Sequence, residues 1–372
     1  MPRLRGDDGA VAVLVAVLMV ALLGMGALVV DVGAWYAEGR QLQNGAQAGA
    51  VAVVQGCVSA GNCDASTAAT GRAGTFADQN ANDTTTTVTE VCGGNGAPAL
   101  SPCSTPAQRT LYDCRGTPAA GAPYVQVRTK TRTSAGDDKM PPLLIRVLQP
   151  ADPGKTITAC ARAAYGGPAS WTSKLPLTIS DCEYKAYVGA PPNPANFAPP
   201  GPYAAPYSNV AAFEHVIYFH DTTESGPGCG ASHSGSDSPI SGGFGWLDSS
   251  SCVATSNTTG LFPTDPGASA PSDCADAQLR AMIGKTVPVP VYNGTNGLTG
   301  NNGGYYMRGG AAFVLTGYYL GGQYKEPSII SSTLPCGQSQ RCISGFFTND
   351  VTPLGGVIGG PSLGLTVMQI TG

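Results

Sequence analysis

Residues 10–30 read AVAVLVAVLMVALLGMGALVV, a stretch of 21 residues without a charged side chain. As a helix rising about 1.5 Å per residue, it matches the roughly 30 Å hydrocarbon core of a bilayer. The stretch predicts one transmembrane helix. A cleaved signal peptide has a shorter apolar region, about 7–15 residues, followed by a small-residue cleavage site. No such site precedes a break in the helical pattern here, so a retained anchor is expected. Arg3 and Arg5 lie before the stretch, Asp31 is the first charge after it and Arg40 the first base. Cytoplasmic flanks are the ones enriched in Lys and Arg. The expected topology is a plasma-membrane, single-pass protein with residues 1–9 cytoplasmic and the bulk of the chain extracytoplasmic.

The helical pattern does not stop at the membrane. Val32, Trp35, Tyr36, Leu42, Ala46, Ala50, Val53 and Val54 recur at steps of three and four, without proline, up to Gly56. The helix should therefore protrude as a stalk. Trp35 and Tyr36 suit an interfacial aromatic belt or packing against a following helix, and the pattern leaves both open. Ala12 and Ala16 have the small-xxx-small spacing that lets membrane helices approach closely, which points to a helix-mediated oligomer. After Gly56, Asp64 can cap a second helix from Ala65 to about Asn80, with Ala68, Ala69, Ala73 and Phe76 facing inward. A disulfide between Cys57 and Cys63 would clip this helical hairpin.

Glycine and proline number 51 and 30 in 372 residues, just short of the level at which an unperiodic chain reads as disordered. The chain should fold with many turns. Charged residues are only 12% and the net charge is −4, with no basic stripe in either half, which argues against nucleic acid as a partner. All 12 cysteines follow the apolar stretch, and no C-x-x-C pair occurs. An oxidising compartment with disulfides fits this better than zinc.

Residues 83–123, rich in Thr, Gly and Pro, read as a long loop that needs disulfides. Strands follow at 124–133, 143–148 and 156–165, and a small sheet against the helical hairpin is expected. In the first, Val125, Val127, Thr129 and Thr131 form one face, and Gln126, Arg128, Lys130 and Arg132 form a basic, solvated one. Prolines 191, 192, 194, 199, 200, 202 and 206 mark a linker or rigid loop. Beyond it, apolar runs at 213–219, 286–292 and 311–320 suggest a β-rich second lobe. The expected division is a head 1–9, a transmembrane helix 10–30, an extended helix and hairpin 31–82, a small α+β lobe 83–188, a Pro-rich linker 189–207 and a β-rich lobe 208–372. The fold class is α+β.

Sites of chemistry are sparse. Gly154-Lys155-Thr156 and Gly284-Lys285-Thr286 end like phosphate-binding loops, but Gln149 and Leu279 stand where the first glycine is needed. Asp248-Ser-Ser-Ser251 resembles the D-x-S-x-S metal loop of von Willebrand type A domains and fails at Cys252. The 3 histidines, His215, His220 and His233, lie near Asp221, Glu224, Cys229, Ser232 and Ser234. An odd spacing of five on a strand turns His215 and His220 to opposite sides, and no G-x-S-x-G surrounds Ser232. Asp137-Asp138 read as a solubilising pair in a turn. The Gly/Asn run 293–304 lacks a carboxylate for calcium and reads as a hairpin loop. No catalytic, cofactor-binding or metal-ligating residue is assigned, and no enzyme is expected.

The segment 9–52 resembles the TadG-like branch of the Flp (Tad) pilus-assembly proteins in its actinobacterial form. The similarity lies in an uncharged membrane helix running into Asp31-Val32-Gly33, then Tyr36, Arg40, Leu42-Gln43 and an alanine-rich stretch. Gln47 stands where that family usually has Asp, and Gly49 replaces an alanine. Glu is absent five residues after Gly9, where Leu14 stands, which implies an unprocessed, cell-bound chain. The resemblance implies a membrane-anchored minor pilin-like or anchoring subunit of a Flp/Tad pilus assembly and secretion apparatus, with other Flp/Tad proteins as partners. The alternative is a stand-alone membrane-anchored adhesion module on the cell surface, using Trp171, Trp246, Tyr305 and Tyr306 to bind a glycan or host surface.

Overall fold

A computed structural model describes residues 7–60, 63–64, 66–95, 97, 99–104, 114, 116, 118, 121–147, 149–219, 245–265, 270–298, 302–337, 339–352 and 356–371. Helix α1, Asp7–Ser59, runs for 53 residues without a break, about 80 Å at the α-helical rise. It is long and apolar enough to cross a membrane. Its side chains are exposed through most of residues 11–30, and burial begins at Asp31. From Leu42 onward Ala46, Ala50, Val53, Val54 and Cys57 are core residues. One helix thus supplies the apolar anchor and one wall of the head.

Helix α2, Ser66–Asp78, folds back on α1, and the Cys57–Cys63 disulfide ties the connection. The inward face is Ala69, Ala73 and Ala77, while Phe76 is 41% exposed and Ala68 lies outside, which corrects the expected orientation. The cause is the closeness of the two helices. A Cβ added to Gly45 would stand 3.1 Å from the Ala77 carbonyl oxygen, and one on Gly49 would stand 3.1 Å from that of Ala73. No phenylalanine fits such a seam; alanine against glycine does.

Strands β1, Thr86–Gly94, and β2, Tyr124–Thr131, pair antiparallel with Val91 opposite Val127. β1 lies inside the expected 83–123 loop; its threonines and valines are good strand formers, and the strand holds Cys92, bridged to Cys103. Strand β3, Thr158–Ser173, continues the sheet, and the following β4, Ile179–Ser180, leads into α3, Asp181–Val188. Next come β5, His215–Tyr218, β6, Ala254–Asn257, and β7, Leu261–Pro263. Helix α4, Asp276–Arg280, precedes the hairpin of β8, Thr286–Thr295, and β9, Gly304–Gly321. The last strands are β10, Tyr324–Glu326, β11, Cys342–Thr348, β12, Asp350–Thr352, β13, Val357–Gly360, and β14, Leu365–Ile370.

Two sheets result. The first has the order β1-β2-β3-β14-β12, with β13 and β6 also on β3; the second has β4-β8-β9-β11-β5, with β10 and β7 on β9. Strands from before and after the proline-rich segment enter both sheets. That segment packs along β11, where the Ala198 amide donates to the Phe347 carbonyl at 2.8 Å and Tyr203 meets Phe346 edge-on. The largest core lies around the second sheet and α3, with Leu177, Tyr184, Val289, Phe313 and Phe347. Disulfides Cys114–Cys160, Cys252–Cys274 and Cys336–Cys342 hold the loops, and Cys182 is also bonded.

The first sheet meets α1 through unusually small side chains. Ala161 and Ala163 of β3 and Val125 and Val127 of β2 are fully buried in one cluster with Ala46, Ala50 and Val53. Polar hooks fix the crossing: the Thr129 hydroxyl donates to the Leu42 carbonyl at 3.1 Å, and Gln43 Nε2 donates to the Cys160 carbonyl at 2.9 Å. Val125, Val127, Thr129 and Thr131 form the inward face as expected. The opposite face is covered at Gln126 and Arg128 instead of solvated, while Lys130 is half-exposed and Arg132 is exposed as expected. Gln126 is buried with its Oε1 accepting from Arg162, and Arg128 pairs with Glu90 at 3.0 Å.

Replacing Gly49 with Leu should force α2 off α1 and cost about 1–3 kcal/mol, the usual range for overpacking. Urea unfolding of the full chain in detergent micelles, followed by near-ultraviolet circular dichroism, measures it. Gly71→Leu, in open space on α2, should cost far less.

Candidate functional site

Over the described part of the expected 143–148 strand there is none: 143–144 form a bend, Ile145–Val147 is a short 3-10 turn, and residue 148 lies outside the described residues. Two successive prolines, Pro141 and Pro142, lead into the bend. The amides that follow have another partner. The Asp31 carboxylate, only 1% exposed, accepts from Leu143 N at 2.7 Å, Leu144 N at 3.0 and 3.2 Å, and Ile145 N at 2.7 Å. Both oxygens are used. Three successive amides converging on one acid make a concave anion nest built from main chain alone. Burial pushes the Asp31 carboxyl up, while the three amides outweigh it and hold the group below its ordinary 3.8.

The loop is attached to α1 a second time, one turn further out. Met140 and Lys155 exchange backbone hydrogen bonds at 2.9 and 3.1 Å and close the loop at its base. The Lys155 ammonium lies 5.2 Å from the centroid of the Trp35 ring, a cation–π contact. Asp31 and Trp35 stand four residues apart, on one helix face. Trp35 therefore packs under a loop lysine, while Tyr36 is exposed and accepts from Arg40 at 2.6 and 2.9 Å. Further along α1, Gln41 Oε1 accepts from the Asn82 amide at 3.0 Å. Burial, with repulsion from Asp83, raises the Glu38 carboxyl against the lowering effect of the Thr131 hydroxyl. Gln47 is half-buried, and Gly49 forms the seam with Ala73.

Elsewhere the singled-out residues do not assemble into reaction chemistry. His215 stacks on Tyr187 with centroids 4.3 Å apart, and burial pushes its imidazole below the ordinary value, with Glu214 opposing. His220, Asp221, Glu224, Cys229, Ser232, His233 and Ser234 lie outside the described residues. Among the described residues no group of three or more His, Cys, Asp or Glu is placed to hold a metal. Cys252, which breaks the D-x-S-x-S pattern, is in a disulfide, and Asp273 accepts from its amide and from Ser249. Trp171, Trp246 and Tyr305 are buried, and only Tyr306 of that quartet is exposed. They form no aromatic platform. A cleft of about 210 Å³ lies between the sheets, lined by Trp171, Lys174, Pro288, Asp350 and Leu365 among others. It is smaller than the roughly 300–1,000 Å³ of small-molecule sites.

The fold is thus that of a long apolar helix, of a length and composition that could cross a membrane, continuing into a disulfide-bonded α+β head. Residues 9–56, which span the apolar stretch, Asp31 and the part of α1 docked on the sheet, match the family described as putative Flp pilus-assembly TadE/G-like. No curated protein and no solved structure matches the chain.

Of this region, sequence reasoning found α1, the hairpin disulfide and the Asp31-Val32-Gly33 motif, and missed the loop that the motif holds. The missed signal was an exposed apolar cluster directly after Pro141-Pro142. Asp31→Ala should abolish hydrogen-exchange protection of the Leu143, Leu144 and Ile145 amides in the full chain, and Asp31→Asn should weaken it. In the native chain the folded value lies below 3.8, so the stabilisation is present above 3.8 and lost as pH falls through the folded value. Protection measured as a function of pH checks this.

Proposed function

We propose that the chain is a membrane-anchored structural subunit, minor pilin-like or anchoring, of a Flp/Tad-type pilus assembly and secretion apparatus, with no enzymatic activity. One observation carries this reading. The 9–56 match coincides with a continuous helix whose first half is bare and apolar and whose second half is built into the head. An element shared in this way transmits position and load between membrane and head. The disulfides support an extracytoplasmic head, and Arg3 and Arg5 before the span support a cytoplasmic amino terminus. Ala12 and Ala16 are exposed on the bare part of α1, where a neighbouring membrane helix of the apparatus could pack.

Immunogold electron microscopy of intact cells, with a tag after Gly372 and a deletion strain alongside, tests the proposal. The expected outcome is gold on filaments or at their bases, with filaments lost on deletion and restored by the intact gene. Surface gold with normal filaments in the deletion strain would instead favour a free-standing adhesion module. Gold only after lysis would overturn the topology.

A further inference from the structure

We propose that the turn 141–146 is a second membrane contact, in which the exposed Leu143 and Leu144 enter the interfacial layer of the bilayer that α1 crosses, with Lys139, Arg146 and Lys155 meeting lipid phosphates. This rests on α1 being a membrane anchor. Four observations support it, beginning with depth. Asp31 directly follows the apolar stretch 10–30, and the Cα–Cβ bonds of a helix tilt toward its amino terminus. The carboxylate therefore reaches back toward the membrane side, and the Leu143, Leu144 and Ile145 amides meet it there at 2.7–3.2 Å. The turn is level with the end of the span.

The second observation is exposure. Leu143 and Leu144 are 62% and 43% exposed, and Leu28, Val29, Val30 and Val32, the α1 residues that flank Asp31 in sequence, are 46–71% exposed. The leucines extend the apolar surface of the anchor sideways. Third, the charges around the turn suit a lipid surface: Lys139, Arg146 and Lys155 are exposed, and long basic side chains bury their stems while keeping their heads at phosphate level. Of the nearby acids, Asp152 accepts from the Gly154 amide and Asp138 pairs with Lys130, while Asp137 is exposed, so the three bases face a smaller acidic charge. Fourth, the turn is held in place before any contact, by Asp31, by the Met140–Lys155 bridge and by Lys155 on Trp35. Little ordering cost would remain on insertion.

The test uses the full chain in vesicles of phosphatidylcholine and phosphatidylglycerol. A fluorescent amino acid replaces Leu144, Leu28 or Phe76 in separate preparations, and lipids brominated at different depths act as quenchers. The expected result is deep quenching at 28, shallow quenching at 144 and none at 76. Asp31→Ala should abolish quenching at 144 and leave that at 28 unchanged. Quenching at 28 without quenching at 144 overturns the proposal while the anchor stands, and leaves the two leucines for a protein neighbour. Absence of quenching at both 28 and 144 overturns the anchor reading and the proposal with it.

Discussion

Between Asp31 and Leu42 a single helix changes its surroundings, and the rest of the molecule is arranged around that change. Because α1 does not break, the head has no hinge at its root, and the direction of the anchor fixes the direction of the sheet. A helix with one bare apolar half could dock its other half through large side chains, but the structure uses alanine and glycine, with valine, at its contacting surfaces. Ala46 and Ala50 meet Ala161 and Ala163 on one side, and Gly45 and Gly49 meet Ala77 and Ala73 on the other. Close approach maximises the number of atom contacts per residue even though each side chain is small. It also leaves no room for rotation about the helix axis.

Asp31 shows how such a helix ends its lipid-facing part. A carboxylate taken out of water needs compensation, and a lone cationic partner would still have to be desolvated with it. Three backbone amides supply the compensation here without a second charge. Because the donors are main chain, the acid also determines where an entire loop lies, and the loop's own base is closed by the Met140–Lys155 bridge. A single carboxyl thereby fixes loop position across 112 residues of sequence.

What was legible in the sequence follows local periodicity. The long helix, the hairpin disulfide and the alternating face of β2 were all readable, because each depends on residues close together in the chain. Two failures have a common cause. Phe76 was placed inside by its hydrophobicity, and the 143–148 run was made a strand by its composition; in both cases a tertiary partner decided, Gly49 in the first and Asp31 in the second. The α3 helix carried a readable signal, since Ser180 and Glu183 form a reciprocal cap with bonds of 3.1 and 3.0 Å. Sheet membership left no such trace. Nothing in residues 357–370 announces that they return to β3, because pairing partners about two hundred residues apart leave no mark on local pattern.

That return has a consequence in time. β14 separates β3 from β12, and Val367 stands opposite Gly166. While the chain is being made, the edge of β3 at Gly166 therefore waits for its partner until Val367 has left the ribosome. The Cys57–Cys63 and Cys92–Cys103 loops, closed over 6 and 11 residues, need no such wait. The helical hairpin can be complete while the sheet it packs on is still open, so assembly begins at α1 and α2 and closes last at the β3–β14 pair.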